Sequence, residues 1–209
     1  MTGTLTIYMG CMFSGKSTEL QRQVRRLDVI KSSYIIINHS IDNRYGCNMQ
    51  STHNNNKLKC ITFTNLNDIY KVNNTCSHDK YINSSYIFIE ESQFFGDLYD
   101  FVLNAVNKDG KNVILFGLDG DFRQEPFGDI LRLIPHADNV IKLKSLCKVC
   151  NDGTEGLFTI RTSQDMNKQI LVGQENIYIT VCRKHLIVHN SKKLKGKNLY
   201  CSAGIMALK

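Results

Sequence analysis

GCMFSGKST, the stretch from Gly10 to Thr18, decides the fold of this chain. It matches the motif G-x-x-x-x-G-K-[ST], with the apolar run Leu5–Met9 before it and a segment of helical period, Ser17–Ile30, after it. In such a strand–loop–helix context, successive backbone N–H groups and the helix N-terminus face phosphate oxygens. We therefore predict a nucleotide phosphate site, in which Lys16 reaches the terminal phosphates and Ser17 offers its hydroxyl to Mg²⁺.

Short apolar runs alternate with segments of helical period up to about Leu143. Five of these runs are continuous in hydrophobicity, which is typical of strands buried on both faces of a parallel sheet. A second amphipathic pattern covers 98–106, and Asp109-Gly110 would end that helix. We therefore predict an α/β fold, a mostly parallel sheet with helices on both faces. The predicted strands are Leu5–Met9, Tyr34–Ile37, Tyr86–Ile89, Val113–Leu118 and Val140–Leu143.

The alternation of apolar runs with segments of helical period ends near residues 143–146. We expect a nucleotide-binding α/β domain over residues 1–144, a small, largely β, zinc-stapled domain over 145–190, and a basic tail over 191–209. Polar, Asn-rich residues 38–60 predict an extended loop or a hairpin. The predicted strands of the small domain are Leu157–Arg161, Gln169–Gly173 and Asn176–Val181.

The composition is that of a compact soluble protein. Of 209 residues, 42% are hydrophobic and 22% charged, and no apolar run approaches the roughly 18 residues of a membrane span. The N-terminus lacks the features of a signal peptide, so we expect a cytoplasmic protein. The net charge of +7 fits either nucleic acid or a polyanionic nucleotide, and part of it lies in the Lys-rich C-terminal end, which reads as a solvated tail.

Two acidic residues follow the apolar run in YIFIEESQFF. The carboxyl ends of parallel strands share one edge of the sheet with the phosphate loop, so Glu90 and Glu91 should face a bound nucleotide. Phosphoryl transfer to a hydroxyl needs a carboxylate near Mg²⁺ and benefits from a second one that accepts the proton. The two glutamates could divide these tasks, because consecutive strand residues point in opposite directions.

Four cysteine and histidine positions late in the chain have metal-ligand spacing. Cys147 and Cys150 form a C-x₂-C knuckle, and Cys182 and His185 form a C-x₂-H knuckle. Such a set closes a structural zinc tetrahedron and leaves no open position for a catalytic water. We therefore predict that zinc supplies folding free energy and no chemistry. His189 is an alternative ligand, with a less usual spacing from Cys182.

Together these motifs resemble the thymidine kinase family that combines a P-loop domain with a small zinc domain. The resemblance runs from about Leu5 to His185, through GCMFSGKSTEL, DNRYG, STH, IEESQFF, LFGLDGDFRQEPFG, CKVC and VGQENIYITVCRKH in order. It implies a RecA-like sheet, transfer of the ATP γ-phosphate to the 5′-hydroxyl of thymidine with Mg²⁺, a homotetramer, and feedback inhibition by dTTP. It also implies a loop of the zinc domain that closes over the nucleoside.

The resemblance also implies roles for individual residues. Glu91 matches the glutamate that accepts the proton of the 5′-hydroxyl, and Phe122 matches the aromatic residue that stacks on thymine. Ser17 and Glu90 match the magnesium-binding positions. The implied ATP- and phosphate-binding residues are Gly10, Cys11, Met12, Phe13, Ser14, Gly15, Lys16, Ser17, Asp42, Asn43, Arg44, Glu90, Ser92 and Gln93. The implied nucleoside-binding residues are Met12, Leu118, Phe122, Gln169, Ile170, Leu171, Val172, Gly173 and Tyr178.

Some positions depart from the family pattern. Cys11 replaces the usual proline, and Glu90 replaces the usual aspartate and so reaches further towards Mg²⁺. Asp121 and Glu125 add negative charge around Phe122. None of these departures removes a group that the reaction needs.

Two other hypotheses compete with a kinase. One is a nucleic-acid-binding P-loop protein, in which zinc knuckles and a basic tail grip DNA or RNA and ATP hydrolysis is regulatory. The zinc segment lacks the interleaved aromatic and basic residues of a stacking platform, which argues against it. The other is a nucleotide-binding regulator without activity, which the intact Lys16, Ser17 and Glu91 disfavour.

Overall fold

The structure, a computed structural model, describes residues 2–42, 49–51, 57–70, 75–162 and 177–194. The helices are α1 (Lys16–Val29), α2 (Thr75–Asn83), α3 (Leu98–Asn107) and α4 (Arg183–Leu194). Short 3₁₀ segments span Leu66–Tyr70, Ser92–Phe94 and Ile130–His136. The strands are β1 (Leu5–Gly10), β2 (Tyr34–His39), β3 (Met49–Ser51), β4 (Lys57–Lys59), β5 (Ile61–Phe63), β6 (Tyr86–Ile89), β7 (Asn112–Gly117), β8 (Asn139–Leu143), β9 (Ser145–Leu146), β10 (Glu155–Gly156), β11 (Phe158–Arg161) and β12 (Tyr178–Val181).

Six of these strands form one sheet in the order β5-β2-β6-β7-β1-β8, and every pairing in it is parallel. Strand β1 lies between β7 and β8, with Ile7 opposite Leu115 on one side and Val140 on the other. The loop after β1 and the acidic residues after β6 therefore leave the sheet at the same edge. The predicted parallel sheet is confirmed.

Helices cover both faces of the sheet, as predicted. Alternate residues of each strand point to opposite faces, so Ile87 and Ile89 of β6 join one core and Phe88 joins another. The first core packs against α2 and α3, and includes Phe101. The second packs against α1 through Leu20, Val24 and Leu27. Burial on both faces explains the continuous apolar runs in the sequence.

The five predicted strands correspond to β1, β2, β6, β7 and β8, with ends shifted by two residues or fewer. The hairpin expected within residues 38–60 is present as β3 paired antiparallel with β4. The sequence pattern did not predict β5 or α2, because each is short and presents too few apolar residues to set a period.

No helix among the described residues is long and apolar enough to cross a membrane.

A smaller set of strands follows β8. Strand β9 pairs with β10, and β11 pairs with β12, both antiparallel. Helix α4 was not expected, and it continues past residue 190 to Leu194. Its apolar pattern is weak because one side chain, Leu186, is buried with Ile160 and Val181 in the small core of this part of the chain. The helix begins beside Cys182, so its position follows from the predicted metal ligands.

Candidate active site

The phosphate loop joins β1 to α1. Gly15 occupies the N-cap of α1 with φ 84°, a left-handed conformation that favours glycine. The N–H groups of the first helical turn therefore point into the loop, where a phosphate would complete their hydrogen bonds.

Lys16 lies across this loop. Its Nζ donates hydrogen bonds to the carbonyl oxygens of Gly10 at 3.2 Å and Cys11 at 2.7 Å. Burial lowers the pKa of the ammonium, and the negative charge of Glu91 opposes that shift. Phosphate oxygens would favour the charged form in the same way, because they add negative charge next to Nζ.

Ser17 and Glu90 meet at the edge of the sheet. The Ser17 hydroxyl donates to Glu90 Oε1 at 2.5 Å, and Glu90 is 5% exposed. Hydroxyl and carboxylate oxygens are the hard ligands that Mg²⁺ prefers, and Mg²⁺ is usually held by one or two such groups plus substrate phosphates. The donor set that converges here fits a magnesium ion.

Glu91 is the N-cap of the 3₁₀ segment Ser92–Phe94 and adopts a left-handed conformation, with φ 49°. This conformation costs a non-glycine residue about 1–2 kcal/mol, and such strain is common at functional sites. Gln93 Nε2 donates to Glu91 Oε2 at 2.6 Å, while Gln93 Oε1 accepts from the backbone N–H of Leu118 at 3.0 Å. Gln93 thereby ties the orientation of the Glu91 carboxylate to the end of β7.

Gly117 makes room for this arrangement. A Cβ atom at Gly117 would overlap Ser92 Oγ and would lie 2.9 Å from Gln93 Oε1. We expect Gly117→Ala to lower the free energy of unfolding by about 1–3 kcal/mol, because the packed turn must move. Chemical denaturation measures this change. Gly96→Ala is the control, since nothing lies within 4 Å of a Cβ atom there; equal unfolding midpoints for the two variants would contradict the prediction.

Two of the residues predicted to bind a base lie near β11: Phe122 is in the loop after β7, and Tyr178 is on β12. Phe122 is 4% exposed, and the Arg161 Cζ atom lies 3.8 Å from the centre of its ring. Arg161 Nη2 donates to the Tyr178 hydroxyl at 2.5 Å. The backbone N–H of Met12 donates to Thr159 Oγ1 at 2.9 Å. The phosphate loop, Phe122 and Tyr178 are thus connected through β11.

The structure describes only one of the remaining predicted residues named here, Asp42. Asp42 follows β2, and its Oδ2 accepts a hydrogen bond from Asn38 Nδ2 at 3.4 Å. Asn43 and Arg44 lie outside the described residues. So do Gln169, Ile170, Leu171, Val172 and Gly173.

Several contacts at this edge were not predicted. Thr159 and Arg161 belong to β11, which the sequence assigned only as a strand, and Lys142 pairs with Asp119 at 2.5 Å beside the end of β7. An arginine that closes an otherwise uncharged strand, FTIR, is the signal that could have singled out Arg161. It is 2% exposed, although a charged side chain is rarely buried without a specific role.

The predicted zinc ligands form one cluster. The ligand atoms of Cys147, Cys150, Cys182 and His185 all lie within 4.8 Å of one another. His185 Nδ1 lies 3.5, 3.4 and 3.3 Å from the three sulfurs in that order, and the sulfurs of Cys150 and Cys182 are 3.8 Å apart. A tetrahedral zinc with Zn–S bonds of about 2.3 Å separates its sulfurs by about 3.8 Å. Zinc therefore fits this donor set, and His189 stands outside the cluster.

Comparisons with known proteins agree on one family. A family model for thymidine kinase matches residues 3–186. The chain is 37% identical over 186 residues to a thymidine kinase of Oryza sativa subsp. japonica, covering 88% of this chain and 66% of that protein. It is 39% identical over 182 residues to the thymidine kinase of Yaba monkey tumor virus, covering 87% of this chain and 93% of the viral protein. The chain thus spans just under two thirds of the rice relative and most of the viral one.

Proposed function

Because this chain belongs to the thymidine kinase family, we propose that it transfers the γ-phosphate of ATP to the 5′-hydroxyl of thymidine and so forms dTMP. One observation carries the proposal beyond the family match. The phosphate loop with Lys16 and Ser17 and the oriented carboxylate of Glu91 lie at the same edge of the sheet. That arrangement suits phosphoryl transfer to a hydroxyl group.

When ATP binds, the Lys16 ammonium replaces its hydrogen bonds to the Gly10 and Cys11 carbonyl oxygens with hydrogen bonds to phosphate oxygens. The N–H groups of the loop and of the first turn of α1 bind the remaining oxygens. Arg44, by family resemblance, adds positive charge. Mg²⁺ supplies neutralisation of phosphate charge when it is bound, and Ser17 and Glu90 would hold it.

On the acceptor side, Glu91 accepts the proton of the 5′-hydroxyl. The hydrogen bond from Gln93 fixes one carboxylate oxygen, so little reorganisation is needed before proton transfer. Gln93 also contacts Leu118, a residue proposed to line the base pocket. The proton acceptor and the base pocket are therefore held by the same side chain.

On the nucleoside side, Met12, Leu118, Phe122 and Tyr178 surround the base, and the loop Gln169–Gly173 closes over it. A site that pairs with the Watson–Crick edge of thymine rejects cytosine, because the mismatched base leaves buried donors and acceptors unpaired. From the family resemblance we also propose a cytoplasmic homotetramer that dTTP inhibits. The family match supports this kinase over the alternative nucleic-acid-binding protein.

A nucleoside panel with Mg-ATP tests the proposal directly. We expect the zinc-loaded protein to phosphorylate thymidine and to leave deoxycytidine unmodified, with product identified by chromatography. Lys16→Met is the negative control, since it removes the ammonium from the phosphate loop and keeps the length of the side chain. A wild-type protein that turns over no pyrimidine deoxynucleoside would remove the kinase proposal.

A further inference from the structure

We infer that Arg161 is a positioning residue of the nucleoside site, which holds Phe122 and Tyr178 in the arrangement that base binding uses. The inference rests on the proposed function, because it takes these two aromatic residues as parts of the base pocket. It adds a residue that neither the sequence motifs nor the family resemblance assigned to the site.

The contacts of Arg161 are unusual for a charged side chain. Arg161 is 2% exposed and is among the largest fully buried side chains of the described residues. Its guanidinium lies over the Phe122 ring, with Cζ 3.8 Å from the ring centre, and 5.1 Å from the centre of the Tyr178 ring. It also donates a hydrogen bond to the Tyr178 hydroxyl. One cation therefore joins two aromatic residues that come from different parts of the chain.

The register of the small sheet explains why Arg161 can do this. Arg161 is directly opposite Tyr178 in the antiparallel pair of β11 and β12, so the two side chains share one face. The N–H of Thr162 donates to the carbonyl of Ile177 at 2.8 Å and closes the ladder there. Arg161 and Tyr178 are therefore the last paired residues of β11 and β12.

The geometry has a direct consequence for stacking. A phenyl ring has two faces, and the Arg161 guanidinium lies over one of them, closer to the ring centre than the Arg123 Cζ atom, which lies 5.1 Å away. Both groups are buried, and a desolvated cation–π contact is stronger than an exposed one, so it favours one rotamer of Phe122. Arg161 thus orients the ring and does not touch the reacting atoms.

Arg161→Met tests the inference, because methionine preserves much of the length and removes the guanidinium. Replacing a buried charge with an apolar residue of similar volume is often neutral for stability, so the variant should fold. We expect the KM for thymidine to rise by about tenfold, with the KM for ATP unchanged. Because stacking does not read the 5-methyl group, the KM for deoxyuridine should rise by the same factor in a protein that accepts it.

A double-mutant cycle separates positioning from general damage to the fold. In a Phe122→Leu background, Arg161→Met should have little further effect on the thymidine KM, because the ring that it orients is gone. Effects that simply multiply would overturn the inference. So would equal rises in the KM for ATP and for thymidine, which indicate a structural role.

Arg183→Met is the matched control. The Arg183 Cζ atom lies 4.6 Å from the centre of the Phe158 ring in the same part of the chain, but Arg183 is exposed and contacts no proposed base-pocket residue in the described contacts. This variant should keep the wild-type KM for thymidine. If Arg161→Met fails to fold, Arg161→Lys in the same cycle replaces it, since lysine keeps the charge and loses the planar fork. Turnover of thymidine by the wild type tests the proposed function separately from either result.

Discussion

Glu91→Gln should lower kcat for thymidine phosphorylation by about 10²–10⁴-fold, the range typical of a lost general base. Glutamine keeps the shape of the side chain and can still meet Gln93, but it cannot accept the proton of the 5′-hydroxyl. The KM for ATP should change little, because Lys16 and Ser17 remain in place. Steady-state kinetics with a labelled nucleoside measures both parameters.

Glu155→Gln is the control for this substitution. Glu155 is an exposed carboxylate that pairs with Lys144, and we propose no role for it in the reaction. It should leave kcat unchanged. Full activity of Glu91→Gln would show that another group takes the proton, and Asp119, at the same edge of the sheet, would be the next carboxylate to test.

Cys182→Ser should abolish zinc binding and unfold the small, predicted zinc-binding part of the chain. A serine hydroxyl is a poor zinc ligand, and the apparent free energy of structural zinc binding is about 10–16 kcal/mol. The β12 strand and helix α4 flank Cys182, so both lose their anchor. We expect loss of bound zinc and loss of detectable thymidine binding by calorimetry, because Tyr178 and Arg161 belong to the same strand pair.

Cys60→Ser provides the comparison. Cys60 is also buried, but it packs in the core beneath α1 and is not part of the metal cluster. Burial raises the pKa of this thiol to about 11, which is consistent with an inert structural residue. The variant should keep its zinc. A Cys182→Ser protein that retains wild-type zinc content and thymidine affinity would refute the proposed structural role of this metal.

Much of the fold could be predicted because the signals are local. Buried parallel strands appear as continuous apolar runs, and the phosphate loop needs glycine and lysine at fixed spacing between a strand and a helix. Where the apolar pattern was short, as in β5 and α2, the prediction failed. Helix α4 was missed for a related reason: its buried contact is mainly Leu186, and its position depends on neighbouring strands and metal ligands.

The sequence by itself determined the phosphate loop, the acidic residues after β6 and the two knuckles of candidate zinc ligands, since each depends on residues a few positions apart. Only the tertiary structure decided how these parts meet. Gln93 links Glu91 to the end of β7, Thr159 holds the N–H of Met12, and Arg161 lies between Phe122 and Tyr178. These contacts join residues on separate strands and loops, and their partners are selected by strand order and register, which no local spacing encodes.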